Sequence, residues 1–217
     1  MLHQMIHRPD KLYGIDEFGG DPFAMPVENE QKLILESLFQ LVMSPGGGHW
    51  LEIGPGGGRW TRAFGIAQML NRINKMFLVD QCWAQNRQSI NRFSMLNPNL
   101  TEFITSDDGD FVLEGNSALR GAWAYDVVVH MKKDEFERCL NSFHASVGEG
   151  GYFCFNWGQR FEGFDGWREC PDDSWQYWKR GEIIDLMADY GFHRVTMFDQ
   201  IITKGWGSIF SVFKKAV

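Results

Sequence analysis

Hydrophobic residues along this chain follow two alternating spacings. From Glu28, apolar positions recur at steps of three and four, the spacing of an amphipathic helix, and the run Ser-Pro-Gly-Gly-Gly at 44–48 ends that helix. Further along, short apolar runs typical of strands alternate with helical patterns. The predicted strands are 49–53, 75–80, 100–106, 123–130, 151–157, 192–200 and 208–214. The predicted helices among them are 59–72, 84–96, 134–147 and 182–190.

This alternation predicts an α/β fold class, a doubly wound, mostly parallel, seven-stranded sheet of the Rossmann-like kind. Only residues 201–207 join the last two strands, which is too short for a parallel crossover, so the last strand is predicted to be antiparallel. Residues 1–27 have weak periodicity and are interpreted as an N-terminal arm that could cover a substrate site. Residues 28–217 then form the main domain.

Charge and composition narrow the partners that we expect. Lys and Arg number 21 against 28 Asp and Glu, for a net charge of −7, so a duplex nucleic-acid partner is not expected. No apolar run reaches the ~20 residues of a membrane span, and the first residues lack the apolar core of a signal peptide. We therefore expect a cytoplasmic chain. The four cysteines include no Cys-x-x-Cys pair for zinc, and no His/Asp constellation indicates another metal, so no metal ligands are predicted; whether a metal assists stays open.

Three glycines at alternate positions follow the first predicted strand. They are Gly54, Gly56 and Gly58, with Pro55 between the first two. Glu52 lies two residues before Gly54. The dinucleotide fingerprint G-x-G-x-x-G would need a third glycine at position 59, which is an arginine. A carboxylate so close to the loop suits a cationic ligand group and would repel a pyrophosphate. An ordinary tight turn remains the alternative.

This spacing resembles the first motif of the class I S-adenosylmethionine-dependent methyltransferases, and the resemblance extends from about Glu28 to the C-terminus. Tyr-Asp-Val-Val-Val-His at 125–130 resembles the family's fourth-strand motif, and Gly-Glu-Gly-Gly-Tyr at 148–152 resembles its turn before the fifth strand, with Glu149 where the family commonly has proline. The resemblance implies S-adenosyl-L-methionine as the cofactor. The cofactor-binding residues that it implies are Glu52, Gly54, Pro55, Gly56, Gly58, Asp80, Gln81, Asp107, Asp108 and Gly109.

Three of these residues carry specific expectations from the resemblance. Asp80, at the end of the second strand, would hold the two ribose hydroxyls. One carboxylate of the Asp107-Asp108 pair would accept a hydrogen bond from the adenine amino group, and which of the two does so stays open. Taken alone, Asp80 could equally be a helix cap or a solvated acid.

His130, at the end of the fourth predicted strand, is the candidate catalytic base. Ligands of such sheets bind at the carboxyl ends of the strands, and histidine changes charge near neutral pH. The interpretation is methyl transfer to a small-molecule acceptor through a hydroxyl oxygen. The alternatives are a small amine as acceptor, or a cofactor-binding protein without transferase activity. In a further alternative, His130 only orders the next loop. The sequence leaves the oligomeric state open.

An aromatic segment at 157–180 follows the fifth predicted strand. It carries four tryptophans and five acidic residues in a long connection. Long irregular connections in compact domains are usually functional, so this segment is predicted to be a lid over the active site. A small satellite core is the alternative.

Overall fold

The computed structural model describes residues 29–44, 47–56, 58, 60–81, 83, 95–106, 108–113, 118–159, 176–202 and 206–217. The chain divides into two compact units, Met1–Ser106 and Asp107–Val217, and each is described by itself. The predicted arm 1–27, nearly all of the predicted helix 84–96, and residues 160–175 of the predicted lid lie outside the described residues.

The first unit is a parallel three-stranded arrangement in the order β3-β2-β1. In chain order its elements are α1 (Asn29–Val42), β1 (His49–Ile53), α2 (Thr61–Met69), β2 (Lys75–Asp80), a 3₁₀ turn (Pro98–Leu100) and β3 (Thr101–Thr105). Ile53 is paired with Val79, so β1 and β2 end side by side at their carboxyl ends. This register brings the loop after β1 next to Asp80.

Burial explains why these segments form strands and helices. The inner residues of β1 and β2 are almost wholly buried, as expected of parallel strands covered on both faces. Helix α2 packs on β1 through Phe64, whose ring centroid lies 5.8 Å from that of Trp50. In helix α1, the buried residues Ile34, Leu38 and Val42 recur at steps of four and form its apolar face.

The second unit combines parallel and antiparallel pairing. Its elements are β4 (Leu119–Ala124), a 3₁₀ turn (Val128–His130), α3 (Lys133–Ser146), β5 (Val147–Gln159), β6 (Tyr177–Trp178), α4 (Arg180–Asp189), β7 (Phe192–Ile202) and β8 (Trp206–Lys215). Strands β4 and β6 each pair in parallel with β5, and β8 lies antiparallel between β5 and β7. The predicted fold class, a mostly parallel α/β sheet with an antiparallel last strand, is confirmed.

The predicted fourth strand, 123–130, is wrong in its position. The strand occupies Leu119–Ala124, and the chain then turns at Asp126, whose φ is +63° and whose N–H donates to the Asn156 side-chain oxygen at 2.5 Å. Val128 and Val129 are fully buried, but in a 3₁₀ turn. The apolar run therefore reflects burial rather than strand geometry, which periodicity alone does not distinguish.

The described ends of the aromatic segment belong to strands. Trp157 lies in β5, is fully buried, and donates from its indole nitrogen to the Ser211 hydroxyl of β8 at 2.9 Å. Trp178 lies in β6 and is 4% exposed. Trp157 is therefore part of the core rather than of a lid.

The Trp157–Ser211 hydrogen bond yields a stability prediction. Ser211→Ala leaves a buried indole N–H without an acceptor, so we expect the free energy of unfolding to fall by about 1–3 kcal/mol. Urea unfolding followed by far-UV circular dichroism measures this. Ser146→Ala, on a part-buried serine at the end of α3, is the control and should cost less. Equal stability of Ser211→Ala and the wild type would contradict the account.

Candidate functional site

The loop after β1 turns sharply on glycines. Gly54, Gly56 and Gly58 have φ values of +62°, +52° and +90°, which L-residues with side chains adopt only at a cost. The Gly54 N–H donates to the Val79 carbonyl of β2 at 2.7 Å, and the Gly58 N–H donates to the Pro55 carbonyl at 2.9 Å. The loop thus continues the β1–β2 pairing by one bond and then closes a tight turn before α2.

Gly56 leaves open space at the surface of this loop. In the described part of the chain, and apart from its two chain neighbours, no atom would lie within 4 Å of a β-carbon placed on it. Glycine is therefore required at position 56 by the backbone conformation and not by crowding from neighbouring atoms. The open space beside the peptide groups is what a ligand needs for close approach to the backbone.

Glu52 is buried immediately before the glycine loop. It is 2% exposed, and its Oε2 atom has no hydrogen-bond partner among the described residues. Burial raises the pKa of Glu52 to about 8, while the Thr61 side chain lowers it and the negative charge of Asp80 raises it further. At neutral pH the buried carboxyl group therefore carries a proton for most of the time.

Asp80 ends β2 beside this loop and is partly exposed. Its carbonyl oxygen accepts from the Ser106 N–H at 3.1 Å, which continues the pairing toward β3. Gln81 follows it and is exposed. The first unit thus brings together one buried carboxyl group, one partly exposed carboxyl group and an open glycine loop. Together these groups suit a ligand that carries both a cation and hydroxyl groups.

The loop after β3 contains the second group of predicted residues. Asp107 lies outside the described residues, whereas Asp108 is exposed with a φ of +47°. Gly109 is buried with a φ of +94°, and a β-carbon on it would overlap the carbonyl oxygen of Glu135 in α3. Close packing against the helix therefore requires glycine at this position, whether or not a ligand is bound.

His130 closes the 3₁₀ turn between β4 and α3 and is partly exposed. Its N–H donates to the Val127 carbonyl at 2.9 Å. The carbonyl of the preceding residue, Val129, accepts from the Gln176 N–H at 2.6 Å. The turn that carries His130 is therefore tied to the residue before β6, on the C-terminal side of the aromatic segment.

Sequence reasoning missed Thr61, a buried residue at the first position of α2 whose side chain influences Glu52. Its place directly after the glycine loop was the available signal. Within the described ranges, His, Cys, Asp and Glu side chains form no group of three that could hold a metal ion. No described helix is long and apolar enough to cross a membrane.

No protein-family model matches the chain, and no curated protein matches it either. Among solved structures, the chain is similar to magnesium protoporphyrin IX methyltransferase from Synechocystis with bound S-adenosylhomocysteine. The sequences are 14% identical, with a TM-score of 0.64 over 88% of this chain and 89% of that one.

Two other solved structures are also similar to the chain. The N-methyltransferase NodS from Bradyrhizobium japonicum, also solved with S-adenosylhomocysteine, is 14% identical with a TM-score of 0.60 over 90% of this chain and 92% of that one. The [4+2]-cyclase SpnF is 14% identical with a TM-score of 0.64 over 86% of this chain and 81% of that one. The chain therefore has the fold of the class I S-adenosylmethionine-dependent methyltransferases.

Proposed function

We propose that this protein binds S-adenosyl-L-methionine and transfers its methyl group to a small-molecule acceptor, through a hydroxyl oxygen. The observation that carries the proposal is Glu52, a buried carboxyl group directly before an open glycine loop, with an oxygen that has no partner among the described residues. An unpaired buried polar atom destabilises the folded chain, and a cationic ligand group at that position would supply its missing partner.

Each residue has a chemical task under this proposal. Glu52 would ionise and pair with the ammonium group of the cofactor. The glycine loop, with Gly54, Pro55, Gly56 and Gly58, and the adjoining Gln81 would line the cofactor-binding site. The Asp80 carboxylate would accept from the two ribose hydroxyls. In the loop after β3, Asp107 or Asp108 would accept from the adenine amino group, with Gly109 holding the backbone in place.

Methyl transfer needs an acceptor atom that is held in line and freed of its proton. When bound, S-adenosylmethionine supplies an electrophilic methyl group on sulfur. His130 would take the proton from the acceptor hydroxyl, which would make the oxygen a stronger nucleophile toward that methyl group. Positioning would contribute the rest of the rate enhancement, because holding two reactants in line makes a bimolecular reaction effectively unimolecular.

We further propose that the segment 157–180, apart from its buried first residue Trp157, covers the acceptor. In support, its described C-terminal end is fixed at the turn that carries His130, through the Gln176–Val129 hydrogen bond. Lys133, three residues after His130, lies with its ammonium group 5.9 Å from the ring centre of Trp178. The net charge of −7 agrees with a small molecule rather than a nucleic acid as the substrate. We also propose that the protein is cytoplasmic.

Two other functions have specific support. An amine acceptor is favoured by the acidic and aromatic composition of 157–180 and by the N-methyltransferase among the similar structures. A cofactor-binding protein that does not transfer the methyl group is favoured by the similar [4+2]-cyclase. Activity assays separate them, because S-adenosylhomocysteine is formed only when the methyl group leaves.

The cofactor assignment predicts a binding defect in Asp80→Ala. S-Adenosylhomocysteine should bind the wild type in calorimetry, and NAD should not. Loss of the hydrogen bonds to a charged acceptor should weaken binding by roughly 1–3 kcal/mol. Asp185→Ala, an exposed position on α4, is the matched control and should bind as the wild type does. Tight NAD binding, or an Asp80→Ala variant with unchanged affinity, would refute the assignment.

The catalytic role of His130 predicts a loss of turnover with intact cofactor binding. His130→Ala should lower kcat by about 100- to 10,000-fold, the usual contribution of a positioned base. Its dissociation constant for S-adenosylhomocysteine should stay at the wild-type value. The assay measures S-adenosylhomocysteine formed from a panel of phenols and primary amines.

His193→Ala, on an exposed histidine of β7, controls for nonspecific effects of removing an imidazole. If His130→Ala retains full activity on the phenol that the wild type methylates, catalysis proceeds by positioning alone. That outcome would favour an acidified hydroxyl as the acceptor, whereas turnover of the amines in place of the phenols would favour an amine. Binding without any S-adenosylhomocysteine formation across the panel would favour the cofactor-binding alternative.

A further inference from the structure

The loop that follows β3 is fixed to helix α3 at several points. The backbone at Gly109 lies so close to the helix that a β-carbon would overlap the Glu135 carbonyl oxygen. Further along the loop, the Phe111 N–H donates to the Ser142 hydroxyl at 3.2 Å. Positions 135 and 142 are seven residues apart, so both contacts come from one face of the helix.

Arg138 lies between these two positions on α3 and makes the third contact. Its Nε donates to the backbone carbonyl of Asp108 at 2.9 Å. Its Nη1 donates to the Asp134 carboxylate one turn earlier at 3.1 Å, and its Nε lies 3.9 Å from the Asp110 carboxylate. The planar guanidinium thus binds the loop through Nε and the helix carboxylate through Nη1, as two separate contacts.

The loop conformation that Arg138 holds is a costly one. Asp108 has a φ of +47°, in the left-handed region, which aspartate enters more readily than most residues with a β-carbon but still at a cost. Such conformations persist where the surroundings determine them, and they concentrate at ligand sites. Arg138 bonds the carbonyl of this same residue, so it constrains the peptide group that follows Asp108.

We propose that Arg138 is a positioning residue for the adenine end of the cofactor. By fixing the Asp108 carbonyl, it holds the Asp108 backbone in the conformation from which the carboxylate of Asp107 or Asp108 would accept from the adenine amino group. The inference rests on the proposed function. Arg138 itself does not touch the cofactor; it acts through the loop.

A purely structural role for Arg138 would produce a different pattern. Its ion pair with Asp134 is an exposed pair four residues apart on a helix, which stabilises a protein only slightly. Removal of either partner would then change stability a little and leave ligand preference unchanged. If Arg138 instead positions a carboxylate, its removal should change which nucleobase is preferred. A carboxylate accepts a hydrogen bond from an amino group and repels a carbonyl oxygen.

The test compares two ligands by calorimetry: S-adenosylhomocysteine and S-inosylhomocysteine, in which an oxygen replaces the adenine amino group. The wild type should prefer the adenosyl ligand. Arg138→Ala should reduce that preference roughly tenfold, the scale of one hydrogen bond to a charged group, mainly through weaker binding of the adenosyl ligand. Arg138→Lys should restore part of the preference, because an ammonium group can still donate to the carbonyl.

Two further variants keep the test decisive. Asp134→Ala removes the ion pair but leaves the contact with Asp108, and it should keep the wild-type preference. Ser142→Ala loosens the same loop through Phe111 and should reduce the preference without any change in helix charge. Thermal unfolding verifies that each variant is folded.

The outcomes separate this inference from the proposed function. If the wild type binds neither ligand, the proposed function fails. If it binds the adenosyl ligand without preference, cofactor binding stands, but the adenine contact assigned to Asp107 or Asp108 fails and the positioning role fails with it. If Arg138→Ala keeps the preference, only the positioning role fails. An equal loss in Asp134→Ala and Arg138→Ala would also overturn it, because the loop contact survives in the first of these variants.

Discussion

The burial of one carboxyl group, that of Glu52, is the constraint on which the account of the site depends. It is enclosed at the carboxyl end of β1, beside the glycine loop and near Asp80, with an oxygen that has no partner among the described residues. Burial of an ionised carboxylate is costly, so the group retains its proton up to a pH of about 8. A position that is unfavourable for the free protein becomes favourable when a cation occupies the neighbouring space.

The same burial sets how stability depends on pH. The pKa of Glu52 is higher in the folded chain than the value of 4.5 that an unfolded glutamate has. Its contribution to stability is therefore greatest below pH 4.5 and is lost as the pH rises to about 8. A bound cation reverses this effect, because it stabilises the ionised form in the folded state. The glycine loop permits such an approach, since Gly56 leaves the space above its backbone open.

Much of the fold could be predicted from the sequence, and the failures have physical reasons. Strands β1 and β2 are buried on both faces, so their apolar runs end where the strands end. The predicted fourth strand was misplaced because Val128 and Val129 lie in a 3₁₀ turn and are buried there. A buried turn and a buried strand have the same apolar sequence pattern. The closing antiparallel pair followed from the short link between its strands.

The site was less accessible to sequence reasoning. The glycines and acids indicated a ligand, but the raised pKa of Glu52 depends on its complete enclosure, which no local pattern encodes. Gly109 resembled a ligand-binding glycine, yet its contact with Glu135 involves a helix more than twenty residues away in sequence. Arg138 was not singled out, because an arginine on a helix surface is ordinary until its partners are known.

The central claim, that Glu52 ionises to receive the cationic group of the cofactor, is tested most directly by counting protons on binding. Calorimetry of S-adenosylhomocysteine binding at pH 7, in buffers with different ionisation enthalpies, should show release of about one proton per site, because binding lowers a pKa that starts near 8. Glu52→Gln, which has no proton to release, should bind without this buffer dependence. Tight binding to the wild type with no proton release, or the same release in Glu52→Gln, would contradict the account.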